Sequence, residues 1–180
     1  RASSGRHFLF LGRLLRQKGV FEFVEAAAAV RARYPDARFT LLGAPSADVG
    51  PPMLEAFGAA GVDYGGALAD VRPAIAAADC LVLPSAYGEG TPHSLLEGAA
   101  MGRARIASDH PGCRDAVRPD ISGFLVPPRD GVALAAAMMR FCALAPAARA
   151  AMGAAGRTHM EVAFDERFVV ARYEAALARL

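Results

Sequence analysis

Short apolar runs alternate along the chain with longer segments whose apolar residues recur at helical spacing. The first run, His7–Leu11, ends at Gly12, and the segment 18–34 then carries apolar residues every three or four positions until Pro35 stops it. This pair of segments predicts one β-α unit. The same alternation continues to the C-terminus, so the chain is predicted to repeat the unit several times.

The alternation predicts six strands and a set of intervening helices. The predicted strands are 7–11, 38–42, 62–64, 80–83, 105–107 and 123–126, and the predicted helices are 18–34, 52–60, 69–78, 92–101, a short helix or turn at 112–117, and about 130–145, 147–160 and 165–179. Continuous apolar strands between amphipathic helices are typical of a mostly parallel sheet that is covered on both faces. We therefore predict a doubly wound, Rossmann-like α/β domain with Ala-rich C-terminal helices. Ligands of such a sheet bind beyond the carboxyl ends of its strands.

Composition supports one globular domain and excludes several functional classes. The chain has 180 residues, of which 54% are hydrophobic, and a net charge of +2, which does not favour nucleic-acid binding. The cysteines, Cys80, Cys113 and Cys142, are widely spaced, so neither a disulfide framework nor a zinc site is predicted, and a reducing compartment suits them. The sequence has no uninterrupted apolar run long enough for a transmembrane segment. Because it opens on Arg1 and a polar stretch, we expect a domain of a longer protein.

The segment that follows the fourth predicted strand combines glycines with helix-start signals. Thr91 is predicted as the N-cap, Pro92 as the first helical residue, and Gly102 as a left-handed residue after the helix end. The first amides of this helix are predicted to form a phosphate site, which Gly90 lets a ligand approach closely. The amides in question are those of His93, Ser94 and Leu95.

Two carboxylates, Glu89 and Glu97, flank this predicted phosphate site. Phosphate repels carboxylates, so both are expected to face hydroxyl-rich groups on either side of a diphosphate, because ionised carboxylates accept hydrogen bonds from sugar hydroxyls. The alternative for each glutamate alone is a solvent-facing surface charge. Their combination with Pro92 and the glycines at a strand end favours function.

The loop after the first strand carries cations to the same predicted edge. Gly12 is followed by Arg13, which suits bidentate binding of phosphate oxygens, and Lys18 is the single lysine among 20 cationic residues. Arg16 is interpreted as a solvated charge. The loop matches neither the dinucleotide fingerprint nor the Walker motif, which argues against a nicotinamide-linked oxidoreductase.

The sequence offers no metal site and no nucleophile elbow. It contains neither an Asp-x-Asp motif nor a cluster of His, Asp and Glu at metal-ligand spacing, so we expect a leaving diphosphate to be neutralised by cations and helix amides without a metal ion. Among the histidines, His7 and His159 are interpreted as structural or exposed, and His110 lies in a loop that faces the cleft if the sheet is arranged as predicted.

The quoted motifs resemble the carboxy-terminal donor domain of retaining GT-B glycosyltransferases of family 4, over nearly the whole chain. The resemblance rests on Gly12-Arg13 with Lys18-Gly19, on Leu83-Pro84-Ser85, on Glu89 to Glu97, and on the run 123–128 with Asp130. It implies a metal-independent, hexosyltransferase-type enzyme that binds a UDP- or GDP-linked sugar, needs no cofactor, and transfers the sugar with retained configuration. The loop 109–115 resembles that of members that build surface polysaccharides on lipid carriers.

By the same resemblance, Arg13, Lys18 and Glu89 are the catalytic residues. The implied donor-binding residues are Gly12, Arg13, Lys18, Gly66, Ala67, Glu89, Gly90, Thr91, Pro92, His93, Ser94 and Glu97. Arg13 and Lys18 would hold the diphosphate, Glu97 the ribose and Glu89 the transferred sugar. The leaving phosphate oxygen would take the acceptor's proton on the same face, while Glu89 stabilises the oxocarbenium-like sugar.

The resemblance also implies a larger enzyme. Residues 1–180 would be the donor domain of a two-domain enzyme whose amino-terminal domain binds a carbohydrate or lipid-linked acceptor, so that the 180 residues alone transfer little or no sugar. Such an enzyme is expected in the cytoplasm, peripheral to the inner face of the membrane, in polysaccharide or lipopolysaccharide synthesis. The alternative is a non-catalytic nucleotide- or sugar-binding module of the same fold.

This sequence departs from the family pattern at two places. Gly98 replaces a common alanine, and the segment 102–105, Gly-Arg-Ala-Arg, stands where a proline and an aliphatic residue are frequent. We expect altered packing there rather than lost donor binding.

Overall fold

The computed structural model describes residues 5–88 and 90–179, and within them six parallel strands form one sheet. The strands are β1 His7–Leu11, β2 Arg38–Leu42, β3 Asp63–Tyr64, β4 Cys80–Leu83, β5 Ala104–Ser108 and β6 Gly123–Val126. Their order, β3-β2-β1-β4-β5-β6, is that of a doubly wound Rossmann sheet. The predicted fold class is therefore confirmed.

In the same described residues the chain forms eight α-helices, of which seven pack around the sheet and the last has no buried residue. They are α1 Val20–Arg33, α2 Pro51–Ala59, α3 Arg72–Ala77, α4 His93–Ala100, α5 Pro111–Ala116, α6 Gly131–Ala143, α7 Pro146–Ala163 and α8 Glu166–Leu177. Across this part of the chain no single helix is long and apolar enough to cross a membrane, and the pair that reaches that length together is bent by 115°.

Alternating side chains of β1 fill two apolar clusters, one on each face. Phe8 and Phe10 pack with Phe23 of α1, while Leu9 belongs to a separate cluster with Ile75 of α3. Side chains of a strand alternate between faces, so one five-residue strand supports both layers. This placement fixes β1 at the centre of the domain.

The predicted element boundaries hold closely for the strands and less closely for the helices. The predicted helix 18–34 is interrupted because Arg16–Lys18 forms a 3-10 turn and Gly19 takes a left-handed φ of 79° before α1 begins at Val20. Helix α3 begins later than predicted, at Arg72, whose backbone N–H donates to the Asp70 carboxylate at 3.0 Å. Both differences arise from local turns that periodicity does not report.

Both departures from the family pattern lie at closely packed positions. A Cβ atom on Gly98 would stand 2.6 Å from Cδ2 of Leu81, so a larger residue at this position would require the Leu81 side chain to shift. Arg105, in the interior strand β5, is completely buried. The guanidinium lies under α7, where a Cβ on Gly156 would stand 2.6 Å from Nη2.

Candidate functional site

The direction of winding reverses between β1 and β4, which places a crevice at the carboxyl ends of these strands. The chain moves outward from β1 through β2 to β3, and then returns to the other side of β1 to lay down β4, β5 and β6. We call residues 12–19, after β1, the β1 loop, and residues 84–92, after β4, the β4 loop. Most of the predicted site residues lie in these two loops, at the switch point where doubly wound sheets bind ligands.

The β1 and β4 loops are joined directly through Gln17. Its carbonyl oxygen accepts hydrogen bonds from the Ala86 N–H at 2.8 Å and from the Ser85 hydroxyl at 3.4 Å. Beside it, a Cβ on Gly19 would stand 2.6 Å from Cγ of Pro84. The β1 and β4 loops are therefore packed against each other and hydrogen-bonded through their backbones. Gln17 was not among the predicted site residues, because a backbone acceptor gives no signal in the sequence.

The cations of the β1 loop differ in their surroundings. Arg13 is exposed and Lys18 is half-buried at the end of the 3-10 turn. Arg16 is exposed, and its guanidinium lies 4.2 Å from the centroid of the Phe21 ring. The interpretation of Arg16 as a solvated helix-end charge agrees with this position. Arg13 and Lys18 remain the candidates for binding an anion.

The start of α4 differs by one residue from the prediction. Pro92, with ψ 127°, is the N-cap in place of Thr91, and the Pro92 carbonyl accepts the Leu95 N–H at 3.1 Å. The prediction of Thr91 as N-cap is wrong. Proline can be the N-cap because that position uses its carbonyl oxygen as an acceptor and does not need a backbone N–H. The Leu95 N–H is therefore already hydrogen-bonded and is not available to a phosphate. Two amides, those of His93 and Ser94, have no hydrogen-bond partner in the described part of the chain.

The remaining predicted residues precede these two amides in the β4 loop or follow them along α4 and after its end. Gly90 is exposed, Thr91 is half-buried and Pro92 is buried. Glu97 is exposed one helical turn after His93, on the same face of α4. Gly102 has the left-handed φ of 67° that was predicted for it. Glu89 lies outside the described residues.

A chain of glycine backbones connects the β1 loop to the loops after β2 and β3. The Gly12 N–H donates to the Leu42 carbonyl at 2.9 Å, and a Cβ on Gly43 would overlap the Gly12 carbonyl oxygen. The Gly43 N–H in turn donates to the Gly66 carbonyl at 2.8 Å. Gly66 is therefore tied to the β1 loop, whereas Ala67 is exposed beyond it. Gly43 was missed, although a glycine directly after a strand was an available signal.

The loop after β5 reaches the opposite side of the β4 loop. The ring of His110 lies beside Gly88, where a Cβ would stand 3.6 Å from Cε1 and 3.7 Å from Nε2. The prediction that His110 faces the cleft is thus consistent with its position. His7 is structural, because its ring nitrogens bond the Ala77 carbonyl at 3.0 Å and the Thr40 hydroxyl at 2.9 Å. The His159 ring bonds the Asp115 carbonyl at 2.9 Å.

One ion pair stands beside His110 on the same loop. The Arg114 guanidinium donates to the Asp109 carboxylate and lowers the pKa of that carboxyl. Within residues 5–88 and 90–179, no group of three or more His, Cys, Asp or Glu side chains is arranged to hold a metal ion. The chemical groups assembled at the crevice are therefore guanidinium, ammonium, backbone amides and glutamate.

Comparisons with known proteins agree on one family. A family model described as "Glycosyl transferases group 1" matches residues 5–143. The chain is 38% identical over 109 residues to N,N'-diacetylbacillosaminyl-diphospho-undecaprenol alpha-1,3-N-acetylgalactosaminyltransferase of Campylobacter jejuni, covering 61% of this chain and 28% of that protein. It is 30% identical over 145 residues to the putative colanic acid biosynthesis glycosyltransferase WcaL of Salmonella typhimurium, covering 73% of this chain and 34% of that protein.

Solved structures show the same fold. The crystal structure of Anabaena Alr3699/HepE in complex with UDP superimposes with a TM-score of 0.86 at 20% identity, over 97% of this chain and 49% of that one. The chain thus spans about a third or less of the two bacterial relatives and about half of HepE. The likeness shows that the domain has the same Rossmann-like α/β fold as the matching part of HepE.

Proposed function

The chain belongs to the glycosyl transferases group 1 family, and from this membership we propose that it is the donor-binding domain of a retaining, metal-independent glycosyltransferase. Its substrate would be a nucleoside-diphosphate sugar, and its product a glycan of the cell surface. The names of its Campylobacter and Salmonella relatives, which specify an undecaprenol-linked acceptor and colanic acid synthesis, support this class of product.

The junction of the β1 and β4 loops is the observation that carries the proposal. It fixes the exposed Arg13 and the half-buried Lys18 relative to the start of α4, because Gln17, between them, bonds the β4 loop. Two cations beside two unpartnered helix amides suit a diphosphate better than any neutral ligand. Since the amides are held by the helix before a ligand arrives, little reorganisation of the backbone is needed on binding.

With the diphosphate at this position, residues on either side of it would bind the nucleoside and the transferred sugar. Glu97, one turn into α4, would accept hydrogen bonds from the ribose hydroxyls, and Gly66 with Ala67 would border the base. The structurally similar HepE crystallised in complex with UDP, so UDP is the first nucleotide to test. Gly90 and Glu89, together with Thr91, would face the transferred sugar.

The proposed reaction breaks the bond between the anomeric carbon and the leaving phosphate oxygen, and forms a bond from that carbon to an acceptor hydroxyl on the same face. The acceptor's proton passes to the leaving phosphate oxygen. Arg13, Lys18 and the amides of His93 and Ser94 would neutralise the charge that grows on the diphosphate, which lowers the barrier to departure. Glu89 would stabilise the positive charge on the sugar.

We further propose that an amino-terminal acceptor domain packs against this one. Helix α8 is exposed throughout its described side chains, including Phe168 at 54%, Tyr173 at 69% and Leu177 at 67%. Large apolar side chains clustered on one helix are typical of an interface. A covering domain would also close the crevice and exclude water from the donor. The enzyme would work in the cytoplasm, at the inner face of the membrane, where lipid-linked acceptors are available.

A calorimetric titration of the 180-residue chain with UDP, GDP and ADP, each with and without Mg²⁺, tests the proposal. Selective binding of one nucleoside diphosphate, stronger than that of its monophosphate, is the expected result. Binding of none of them would contradict the proposal. Turnover is then measured in the full-length enzyme with a lipid-linked acceptor, and binding without any transfer would favour a non-catalytic module.

A further inference from the structure

A second cleft lies at the carboxyl edge of the sheet, beside the β1 loop. Its volume is about 540 Å³, and its walls come from the β1 loop, the first turn of α1, the loop after β2 and the loop after β6. The residues that line it are Leu15, Arg16, Gln17, Glu22, Asp48 and Arg129. None of them is proposed to bind the donor, so the proposed function leaves this cleft without a role.

The cleft and the start of α4 belong to opposite faces of the sheet. Phe23 of α1 packs against Phe10, whereas Gly98 of α4 approaches Leu81, which pairs with Leu9. Consecutive residues of a strand point to opposite faces, so α1 and α4 are separated by the sheet. The β1 loop borders both sites, because it lines the cleft and is hydrogen-bonded to the β4 loop. A ligand in the cleft would therefore adjoin the proposed donor site without overlapping it.

Charged side chains of both signs line the cleft without pairing with one another. Within residues 5–88 and 90–179, the side chains of Glu22, Asp48 and Arg129 form neither an ion pair nor a hydrogen bond. Arg16 lines the same cleft, but its guanidinium lies over the Phe21 ring. Two carboxylates and one guanidinium are thus available to a ligand.

The carboxylate of Glu22 contains an acceptor that the domain does not satisfy. Its Oε2 atom is buried and has no hydrogen-bond partner in the part of the chain that the structure describes, although the side chain as a whole is half-buried. A buried acceptor without a donor is unfavourable. The last torsion of a glutamate is soft, so a small rotation would turn this oxygen towards the cleft. A ligand hydroxyl there would supply the missing donor.

Arg129 has a backbone conformation that does not suit an arginine. Its φ is 59°, in the left-handed region that favours glycine. Asp120, the other non-glycine residue with a positive φ among those described, is ion-paired with Arg140 at 2.7 Å. The guanidinium of Arg129 has no such pairing to offset the strain. Strained residues are concentrated at ligand sites, and this one brings a cation to the wall of the cleft.

This mixture of groups selects a neutral, hydroxyl-rich ligand. The carboxylates would repel a phosphate, and the guanidinium would repel a metal ion. A saccharide presents neighbouring hydroxyls, which donate to carboxylate oxygens and accept from a guanidinium. Leu15, half-buried in the same cleft, offers an apolar surface to the C–H groups of a sugar ring.

We propose that this cleft is a saccharide subsite, in which Glu22, Asp48 and Arg129 bind hydroxyl groups of the acceptor glycan. That the saccharide is the acceptor rests on the proposed function. The donor would lie on the α4 side of the β1 loop and the acceptor glycan on the α1 side. The domain that binds the donor would then also contribute to the choice of acceptor.

The experiment titrates the isotope-labelled 180-residue chain with lactose, maltose and N,N'-diacetylchitobiose, and follows the backbone amides by NMR. At least one of these disaccharides is expected to bind with a Kd of about 1–20 mM and to shift the amides of Glu22, Asp48 and Arg129. A parallel titration with UDP is expected to shift the amides of His93 and Ser94 instead. Saturation of one site should leave the shifts at the other unchanged.

Arg129→Gly removes the guanidinium and relieves the backbone strain at the same time, so the variant is expected to fold at least as stably as the unmodified chain. It should weaken disaccharide binding about tenfold and leave the affinity for UDP unchanged. Asp120→Gly is the matched control, because it also removes a side chain from a left-handed residue but lies outside the cleft. Glu22→Gln keeps the size of the side chain and should weaken disaccharide binding about three- to tenfold.

Three outcomes would overturn the inference. Absence of binding by every disaccharide at about 100 mM would remove the subsite. Shifts confined to Gly90 and Thr91 would assign the saccharide to the donor site. Equal weakening by Arg129→Gly and Asp120→Gly would show that the guanidinium makes no contact with the ligand. Failure of the proposed function is recognised separately, because the unmodified chain would then bind no nucleoside diphosphate, whatever the cleft binds.

Discussion

Gly19 and Pro84 are in direct contact at the point where the β1 and β4 loops meet. Gly19 has a φ of 79°, and a Cβ at this position would overlap the carbonyl oxygen of Pro84 and stand 2.6 Å from its Cγ. The contact brings the loop of Arg13 and Lys18 against the loop that leads into α4. Glycine is required here for two independent reasons, the backbone conformation and the space.

Replacing Gly19 with alanine should therefore destabilise the domain and weaken ligand binding together. A left-handed non-glycine residue costs about 1–3 kcal/mol, and the overlap with the Pro84 backbone adds to that cost. The free energy of unfolding, measured with urea, should fall by more than the left-handed conformation alone explains. Binding of UDP should also weaken, because the two loops must separate.

Gly102→Ala provides the comparison for that variant. Gly102 has a similar φ of 67°, but among residues 5–88 and 90–179, its chain neighbours aside, no atom lies within 4 Å of an added Cβ. The substitution Gly102→Ala should lower the free energy of unfolding only by the cost of the left-handed conformation, and it should leave nucleotide binding unchanged. Equal destabilisation by the two substitutions would show that the Gly19 contact contributes nothing beyond its backbone angle.

Substitution of Arg13 or Lys18 by alanine should raise the dissociation constant of UDP about tenfold or more. Hydrogen bonds to charged groups contribute about 1.5–3 kcal/mol, and each 1.4 kcal/mol is a factor of about ten. Arg16→Ala is the matched control, since Arg16 has the same charge in the same loop but lies over Phe21. If Arg16→Ala weakened the binding of UDP as strongly as Lys18→Ala, the loss of affinity would come from the change in overall charge.

Nucleotide binding should not depend on a divalent cation. The proposed site neutralises the diphosphate with Arg13, Lys18 and two helix amides, so addition of EDTA should change the affinity for UDP less than about twofold. Calorimetry of the chain with EDTA and with excess Mg²⁺ measures this directly. A loss of binding in EDTA that Mg²⁺ restores would require acidic ligands that the proposed site does not use.

The sheet was predictable because most of its strands are short, largely apolar runs between helical segments. Four strands, at 7–11, 38–42, 80–83 and 123–126, have the predicted boundaries. The parallel arrangement and the reversal between β1 and β4 follow from the alternation of strands and helices. The loops after β1 and β4, which the sequence analysis singled out, therefore lie at the switch point of the sheet.

The contacts between loops could not be predicted in the same way. The hydrogen bond from Ala86 to Gln17 and the close approach of Gly19 to Pro84 join residues far apart in the chain, and neither is encoded by local periodicity. The N-cap of α4 was misplaced because both Thr91 and Pro92 fit a helix start locally. Which of the two residues is the N-cap depends on how the loops pack in the folded domain.

Burial of Arg105 could not be predicted from the sequence pattern either, because an arginine is normally expected at the surface. The side chain has no exposed surface, and none of its three guanidinium nitrogens has a hydrogen-bond partner in the described part of the chain. Burial lowers its pKa to about 10, which still leaves it charged at neutral pH. A buried charge without hydrogen bonds is costly, so Arg105→Met, which fills similar space with an apolar chain, should stabilise the domain by about 1–4 kcal/mol.

Arg38→Met is the control for this substitution, because Arg38 also belongs to a strand but is exposed. Its effect on the free energy of unfolding should stay within about 0.5 kcal/mol, as is usual for surface positions. Urea denaturation at neutral pH measures both variants against the unmodified chain. A loss of stability in Arg105→Met would show that the guanidinium is hydrogen-bonded in the native protein, and that the packing of β5 under α7 depends on its charge.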